Sequence, residues 1–213
     1  MLNLDFTKRV VINTDDMAWV NSPAKGVMRK PLARAEQESG HATSIVAYQK
    51  GSKFKQHAHP FGEEIFVLDG VFSDENGDYP KGSYLRNPPG SRHAPFSNEG
   101  CILFVKLHQF DPNDNKQLAI NTNEADWQQI EDACYQLKLH KFGSEIVRLI
   151  EWTADQYYQS DAERGEEILV LSGQIEDEYG IYPSMTWLRN PVASTAHRLV
   201  KQGTVALVKT GHL

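Results

Sequence analysis

Two cysteines, Cys101 and Cys134, are all that the 213 residues hold. They cannot form a Cys-x2-Cys pair or a disulfide framework, so a reducing compartment is expected. Positive charge is also scarce: 22 Lys and Arg stand against 28 Asp and Glu, a net charge of −6, with no basic run. No nucleic acid or anionic membrane surface is therefore expected as a partner. The longest uninterrupted apolar run, Cys101-Ile-Leu-Phe-Val105, falls far short of the ~20 residues that cross a bilayer. The N-terminal Met1-Leu-Asn-Leu-Asp-Phe-Thr has no basic or apolar leader region, so no secretory signal is expected and the location reads as cytoplasmic. What is present is ordinary. Apolar residues at 40% and charged residues at 23% suit a globular core and exclude a disordered or fibrous chain.

The chain contains an internal repeat. Gly62-Glu-Glu-Ile-Phe-Val-Leu-Asp-Gly70 returns as Gly165-Glu-Glu-Ile-Leu-Val-Leu-Ser-Gly173, an offset of 103. From Gly62 to Pro88, 16 of 27 positions are identical to their counterparts, far above chance, so the two halves arise by duplication. An upstream echo links Ile12-Asn-Thr14 and Trp19 with Ile120-Asn-Thr122 and Trp127, at an offset of 108. The boundary is expected at the polar, turn-forming Asp111-Pro-Asn-Asp-Asn115, giving domains 1–110 and 111–213.

Each copy reads as β-structure. Glu64-Ile-Phe-Val-Leu68, Ser44-Ile-Val-Ala-Tyr48, Gly82-Ser-Tyr-Leu-Arg86 and Cys101–Leu107 are short, β-prone and bounded by turns. Asp74-Glu-Asn-Gly77 and Asp177-Glu-Tyr-Gly180 predict hairpin turns. Only 123–131, through Trp127 and Ile130, invites a helix. Many short strands predict an all-β sandwich or barrel.

The chemistry concentrates in His57-Ala-His59, Glu63 and His93. His57, His59 and Glu63 share odd parity and would face one way along an unbroken strand, with Glu64 facing the other. Pro60-Phe-Gly62 is a candidate turn within that stretch. Three imidazoles and a carboxylate form a ligand set for Zn, Fe, Mn, Ni or Cu rather than Ca or Mg. Cys101 and Cys134 read as small buried hydrophobes. His41, His108, His140 and His212 fit no pattern.

A His-x-His pair alone is a weak signal, but the surrounding spacing is specific. Gly51 precedes His57 by six residues, Gly70 follows Glu63 by seven, and Gly82, Pro88-Pro-Gly90 and His93 complete the frame. The pattern resembles the two cupin motifs, with Ser97 in place of the final Asn. The resemblance implies two tandem cupin domains, each a jelly roll or double-stranded β-helix. Trp19, Gly26–Leu32, Glu63–Glu75, Leu85–His93 and Gly100–Lys106 resemble, more narrowly, the cupin domain of ChrR-type anti-sigma factors. That family's cupin binds zinc through three His and one Glu and acts as a sensory module in oxidant responses. The resemblance implies His57, His59, Glu63 and His93 as ligands of one divalent metal per chain. Zinc is the expected metal, with Fe, Mn or Ni as alternatives. The family's separate helical zinc domain, with its His-x3-Cys-x2-Cys motif, has no counterpart here. The stretch before Trp19 is too short to hold one, so direct sigma-factor binding is not expected.

Copy two lacks the ligand set. Offset 103 turns His57 into Ser160, His59 into Ala162 and Gly51 into Ala154, while Glu166 remains and His197 stands one residue late. No metal is expected there, only packing or a dry pocket. Glu166 needs a neutralising partner, and Arg189 is the candidate by analogy with Arg86. Two functions remain open. A sensory or regulatory zinc module leads, because four protein ligands would saturate tetrahedral zinc. A metalloenzyme (dioxygenase, isomerase or hydrolase) acting on a small molecule is the alternative, since octahedral Fe or Mn would keep about two positions open. A small-molecule ligand and a homodimer are the partners the sequence admits.

Overall fold

The computed structural model describes residues 1–35, 40–159, 164–194 and 197–213. It is all-β: among the described residues there is no α-helix, only a 3-10 turn at Thr14–Asp16. The stretch expected to favour a helix is instead a turn leading into the strand Gln128–Glu131. That strand is exposed along its length and pairs with Cys134–Phe142. Trp127 and Ile130 therefore had no helical face to bury. No helix of the described residues is long and apolar enough to cross a membrane.

The two compact units are built alike. One comprises Met1–Leu4 and Ala18–Ala125, the other Asp5–Met17 and Asp126–Leu213. The main sheet of the first runs, edge to edge, through Leu118–Asn121, Ser83–Asn87, Glu63–Asp74, Cys101–Leu107, Ala42–Tyr48, Val27–Arg34 and Val20–Asn21. The second runs through Val10–Asn13, Thr186–Asn190, Glu166–Ser172, Thr204–Thr210, Glu145–Trp152, Cys134–Phe142 and Gln128–Glu131. Shorter strands fold over each to complete a jelly roll.

The compact units do not follow the order of the sequence repeat. Val10–Asn13 belongs by repeat to copy one but pairs with Thr186–Asn190, with Ile12 opposite Trp187. Leu118–Asn121 belongs to copy two but pairs with Ser83–Asn87, with Ile120 opposite Tyr84. These exchanged strands are the upstream echo seen in the sequence. Each ends in the same closure: Thr14 N–H donates to the Met185 carbonyl at 2.9 Å, and Thr122 N–H to the Gly82 carbonyl at 3.1 Å.

Period-2 alternation places the core. Ile65, Val67, Leu85, Leu103 and Val105 pack together in the first unit, and Ile168, Val170, Leu188, Ala206 and Val208 in the second. The repeated glycine after the motif strand is a steric requirement. Gly70 has φ +73°, and a Cβ there would run into the Gly100 carbonyl and the Cys101 Cα. Gly173, at φ +74°, is pressed in the same way against Thr204.

The strand exchange predicts an asymmetric response to truncation. Removing residues 1–17 should speed amide exchange across Thr186–Asn190, because that strand loses its edge partner. Ser83–Asn87 should keep its protection. Hydrogen exchange read by mass spectrometry checks this, and equal loss in both strands would contradict it.

Candidate metal centre

Three elements of the first unit bring the four sequence-predicted residues together. The short strand His57–Ala58 pairs with Arg92–His93, setting His93 directly opposite His57. Glu63 opens the long strand Glu63–Asp74. His59 lies in the turn between them, where its N–H donates to the Ser91 carbonyl at 2.9 Å and its carbonyl accepts from the N–H of Gly90 and of Gly62. The shared parity of His57, His59 and Glu63 is thus not what aligns them, since a turn interrupts the strand. The loop hydrogen bonds aim His59 instead. Glu64 does face the other way, accepting from the Tyr84 hydroxyl at 3.0 Å and lying 3.7 Å from Arg86.

One donor atom from each of the four residues lies within 4.8 Å of all the others. The rings of His57, His59 and His93 meet edge to face, with centroids 4.7–5.1 Å apart. Glu63 Oε2 is 3.5 Å from His59 Nε2 and 3.4 Å from His93 Nε2. His59, Glu63 and His93 are buried, whereas His57 is exposed.

The far sides of these side chains are also held. His57 Nδ1 lies 3.1 Å from the Lys55 carbonyl, an acceptor that suits an Nδ1–H and would leave Nε2 as the ligating nitrogen. His93 Nδ1 faces Asp74 Oδ2 at 3.4 Å, the carboxylate–histidine arrangement that orients a ligating ring. Asp74 is itself fixed by the Asn76 N–H at 2.7 Å and the Tyr79 hydroxyl at 3.2 Å. Burial, with Asp74 adding, pushes that phenol up to about 12, so it remains a donor. Asn87 donates to Glu63 Oε2 at 3.0 Å.

The donors fit a metal ion. His59 Nε2 and His93 Nε2 are buried with no hydrogen-bond partner, a costly state unless something else engages their lone pairs. Burial, then the neighbouring His57 and His108, lowers His59 from 6.5 to about 4. Burial likewise lowers His93. Both rings are neutral at pH 7, the form that ligates metal.

Sequence reasoning missed the supporting groups Asn87, Asp74 and the Lys55 carbonyl. Asn87 was within reach, because it stands in the repeated Leu-Arg-Asn-Pro segment and its counterpart Asn190 does the same work. Ser97 is fully buried and donates to the Val71 carbonyl at 2.6 Å, so this departure from the cupin pattern serves the backbone.

A cavity of about 430 Å³ adjoins the centre, with His57 and Glu63 in its wall. Inward-facing residues of three paired strands line it, among them Arg29, Ser44, Val46, Tyr48, Leu103 and Val105.

The second unit handles the same carboxylate differently. Glu166 is fully buried and accepts from Asn190 Nδ2 at 2.8 Å and, very closely, from Arg198 Nη2. The guanidinium supplies the positive charge that the first unit would draw from a metal. Arg189, the partner expected from the sequence, is not the one. It pairs across the sheet with Glu167, on the opposite face from Glu166, and stacks over Phe6 at 4.7 Å. The interior packing differs as well. Register puts Trp152 opposite Thr204, as Tyr48 is opposite Cys101, and puts Ile150 where Val46 stands. Trp152 and Ile150 are fully buried, with Trp152 packed edge-on against Tyr158 at 5.0 Å. His197 is exposed and pairs with Gln159. Ser160 and Ala162, which replace His57 and His59 by sequence, lie outside the described residues.

The two units predict different sensitivities. In the metal-free chain, His59 stays neutral at pH values where the unfolded chain's histidine is protonated. Stability should therefore fall as pH drops from about 6.5 towards 4, by roughly 2–3 kcal/mol from this residue, and urea midpoints should show less of that fall in His59→Gln. In the second unit, Arg198→Ala should cost about 3–5 kcal/mol by stranding the Glu166 charge. Adding Glu166→Gln should restore much of it, and additive losses in the double variant would contradict the pairing.

Comparison with known proteins agrees with this architecture. The family model of the ChrR cupin-like domain matches twice, over residues 7–111 and 115–213. No curated protein matches the chain. A candidate dioxygenase from Nostoc punctiforme PCC 73102 superposes with a TM-score of 0.82 at 17% identity, over 97% of this chain and 84% of that one. A bacterial pirin from Escherichia coli, solved with nickel(II), gives 0.68 at 14% over 97% and 100%. An oxalate decarboxylase from Lactobacillus farciminis, solved with formate, gives 0.66 at 11% over 95% and 86%. At these identities the solved structures show the shared fold. The family match spans both halves, and the chain belongs to the ChrR cupin-like family as a duplicated cupin.

Proposed function

We propose that the first cupin binds one divalent transition metal through His57, His59, Glu63 and His93 and presents it to a small molecule held in the adjoining cavity. The chain would then act as a metal-dependent enzyme on that molecule. The observation that carries this reading is the wall shared by the centre and the cavity. His57 and Glu63 belong to both, so a ligand in the cavity would lie against the metal. A metal there would supply Lewis acidity or redox chemistry, according to its identity. The chain's own groups would bind and orient. Asp74, Asn87 and the Lys55 carbonyl hold the ligating side chains, and the apolar walls exclude water from the bound molecule.

A sensory zinc module is the second reading. Membership of the ChrR cupin-like family across both halves favours it, and it needs all four ligands to close around zinc. The two readings divide on coordination. A cytoplasmic setting goes with either, since Cys101 and Cys134 are free and buried.

Metal analysis of chain purified without added metal should give a stoichiometry near one, lost in a His57→Ala/His93→Ala double variant that keeps its fold. In cobalt-substituted protein, a five- or six-coordinate spectrum that shifts when azide is added would support the open, enzymatic site. A tetrahedral spectrum indifferent to azide would return the reading to the sensor.

A further inference from the structure

The cavity of the first cupin has a chemical character of its own. Its middle is apolar: Val27, Val46, Ile65, Leu103, Val105 and Leu107 line it. Among the described residues its charged lining is mostly cationic: Arg29, Arg34 and Lys55 line it together with Glu63, which the metal reading makes a ligand, and Arg29 donates to the Ser22 hydroxyl at 2.6 Å. Strand register spreads these groups apart. Glu63 is opposite Leu107, Leu107 opposite Ala42, and Ala42 opposite Arg34. Arg29 is opposite Val46, farther along the same sheet. Ser44 lies between these rows, opposite Val105. Its hydroxyl is buried and has no hydrogen-bond partner, although it lines an open space. Tyr48 closes the wall beside Phe54, with ring centroids 4.9 Å apart. Burial, then Glu63, drives its phenol well above the ordinary range while Arg29 opposes the shift. It is thus a proton donor at neutral pH, within electrostatic reach of both the metal centre and Arg29.

We infer that this cavity takes an organic acid with an apolar body: the carboxylate towards Arg29, the body against the Val and Leu walls, and a polar substituent at Ser44. The inference rests on the small-molecule reading of the same site and names its ligand class. A cationic wall attracts an anion, and a hydrogen bond between charged groups is the strong kind. A buried, unpartnered hydroxyl is costly, and a ligand oxygen removes that cost. The second cupin builds the same fold with other groups on this wall: at matching register positions it carries Gln136 for Arg29, Arg148 for Ser44, Ile150 for Val46 and Trp152 for Tyr48.

The test uses the full chain, both metal-loaded and stripped with chelator, titrated calorimetrically with hexanoate, hexan-1-ol and hexylamine. Hexanoate should bind most tightly to both forms, and Arg29→Gln should weaken it about tenfold or more without weakening hexan-1-ol. The pair Val46→Ile/Tyr48→Trp copies side chains that the second unit already accommodates. It should abolish binding of all three probes. Equal binding of the alcohol or amine, or no binding of hexanoate at millimolar concentration, would overturn the inference. So would unchanged hexanoate binding in the filled variant. Hexanoate binding that needs the metal and ignores Arg29→Gln would also overturn it, while leaving the metal-site reading intact. Selective hexanoate binding to a chain that takes up no metal would uphold the ligand class and sink the metal reading. Should Arg29→Gln fail to fold, the probe ranking on the unaltered chain still decides.

Discussion

A carboxylate buried at the head of the motif strand governs both halves of this protein. Glu63 and Glu166 occupy the same position, and each receives an amide hydrogen bond from the Asn of the Leu-Arg-Asn-Pro segment. One neutral hydrogen bond does not offset the desolvation of a charge. Each site therefore calls for a positive group close by, and the two halves answer differently. The second encloses Arg198, a covalently attached cation. The first surrounds Glu63 with imidazoles whose burial keeps them neutral, an arrangement suited to a cation that comes from outside.

That choice propagates into the packing. With Arg198 closing the second site, Trp152 and Ile150 pack into the core cluster of that unit. In the first unit Val46 and Tyr48 stand at the positions of Ile150 and Trp152, and a cavity lies beside His57 and Glu63. The duplicated backbone thus serves as an internal comparison. It shares registers and glycine turns with its partner and differs where the charge is neutralised and where the barrel is filled.

Much of this was legible in the sequence because it was written as identities at fixed spacing. The repeat gave the duplication, the hairpin turns appear at Asp74–Gly77 and Asp177–Gly180, and the cupin spacing picked out four residues that the fold brings together. Two readings failed for reasons of geometry. The helix over 123–131 rested on Trp127 and Ile130 alone, and the chain there is an exposed edge strand. Arg189 looked like the partner of Glu166 because it sits in the repeated segment, yet pleating puts it on the other face beside Glu167. Arg198 was invisible to the offset, since no charged residue stands at the matching place in copy one. The crossing of Val10–Asn13 and Leu118–Asn121 was hidden as well. The echo of Ile-Asn-Thr showed that the strands were equivalent, and sequence carries no sign of which sheet an edge strand joins.

The turn at His59 bears on what the centre can do. If His57, His59 and Glu63 lay on one unbroken strand, their relative positions would be fixed by the pleat alone. Instead His59 is held by loop hydrogen bonds to Ser91, Gly90 and Gly62, and His93 is tied to Asp74, while His57 stays exposed with its ring on the Lys55 carbonyl. Two buried rings and a buried carboxylate form the enclosed side of the site. Glu63, from that side, and the exposed His57 both line the cavity. A molecule held in the cavity would lie against a metal bound there, and on that shared wall we place the small-molecule reading ahead of the closed sensory one.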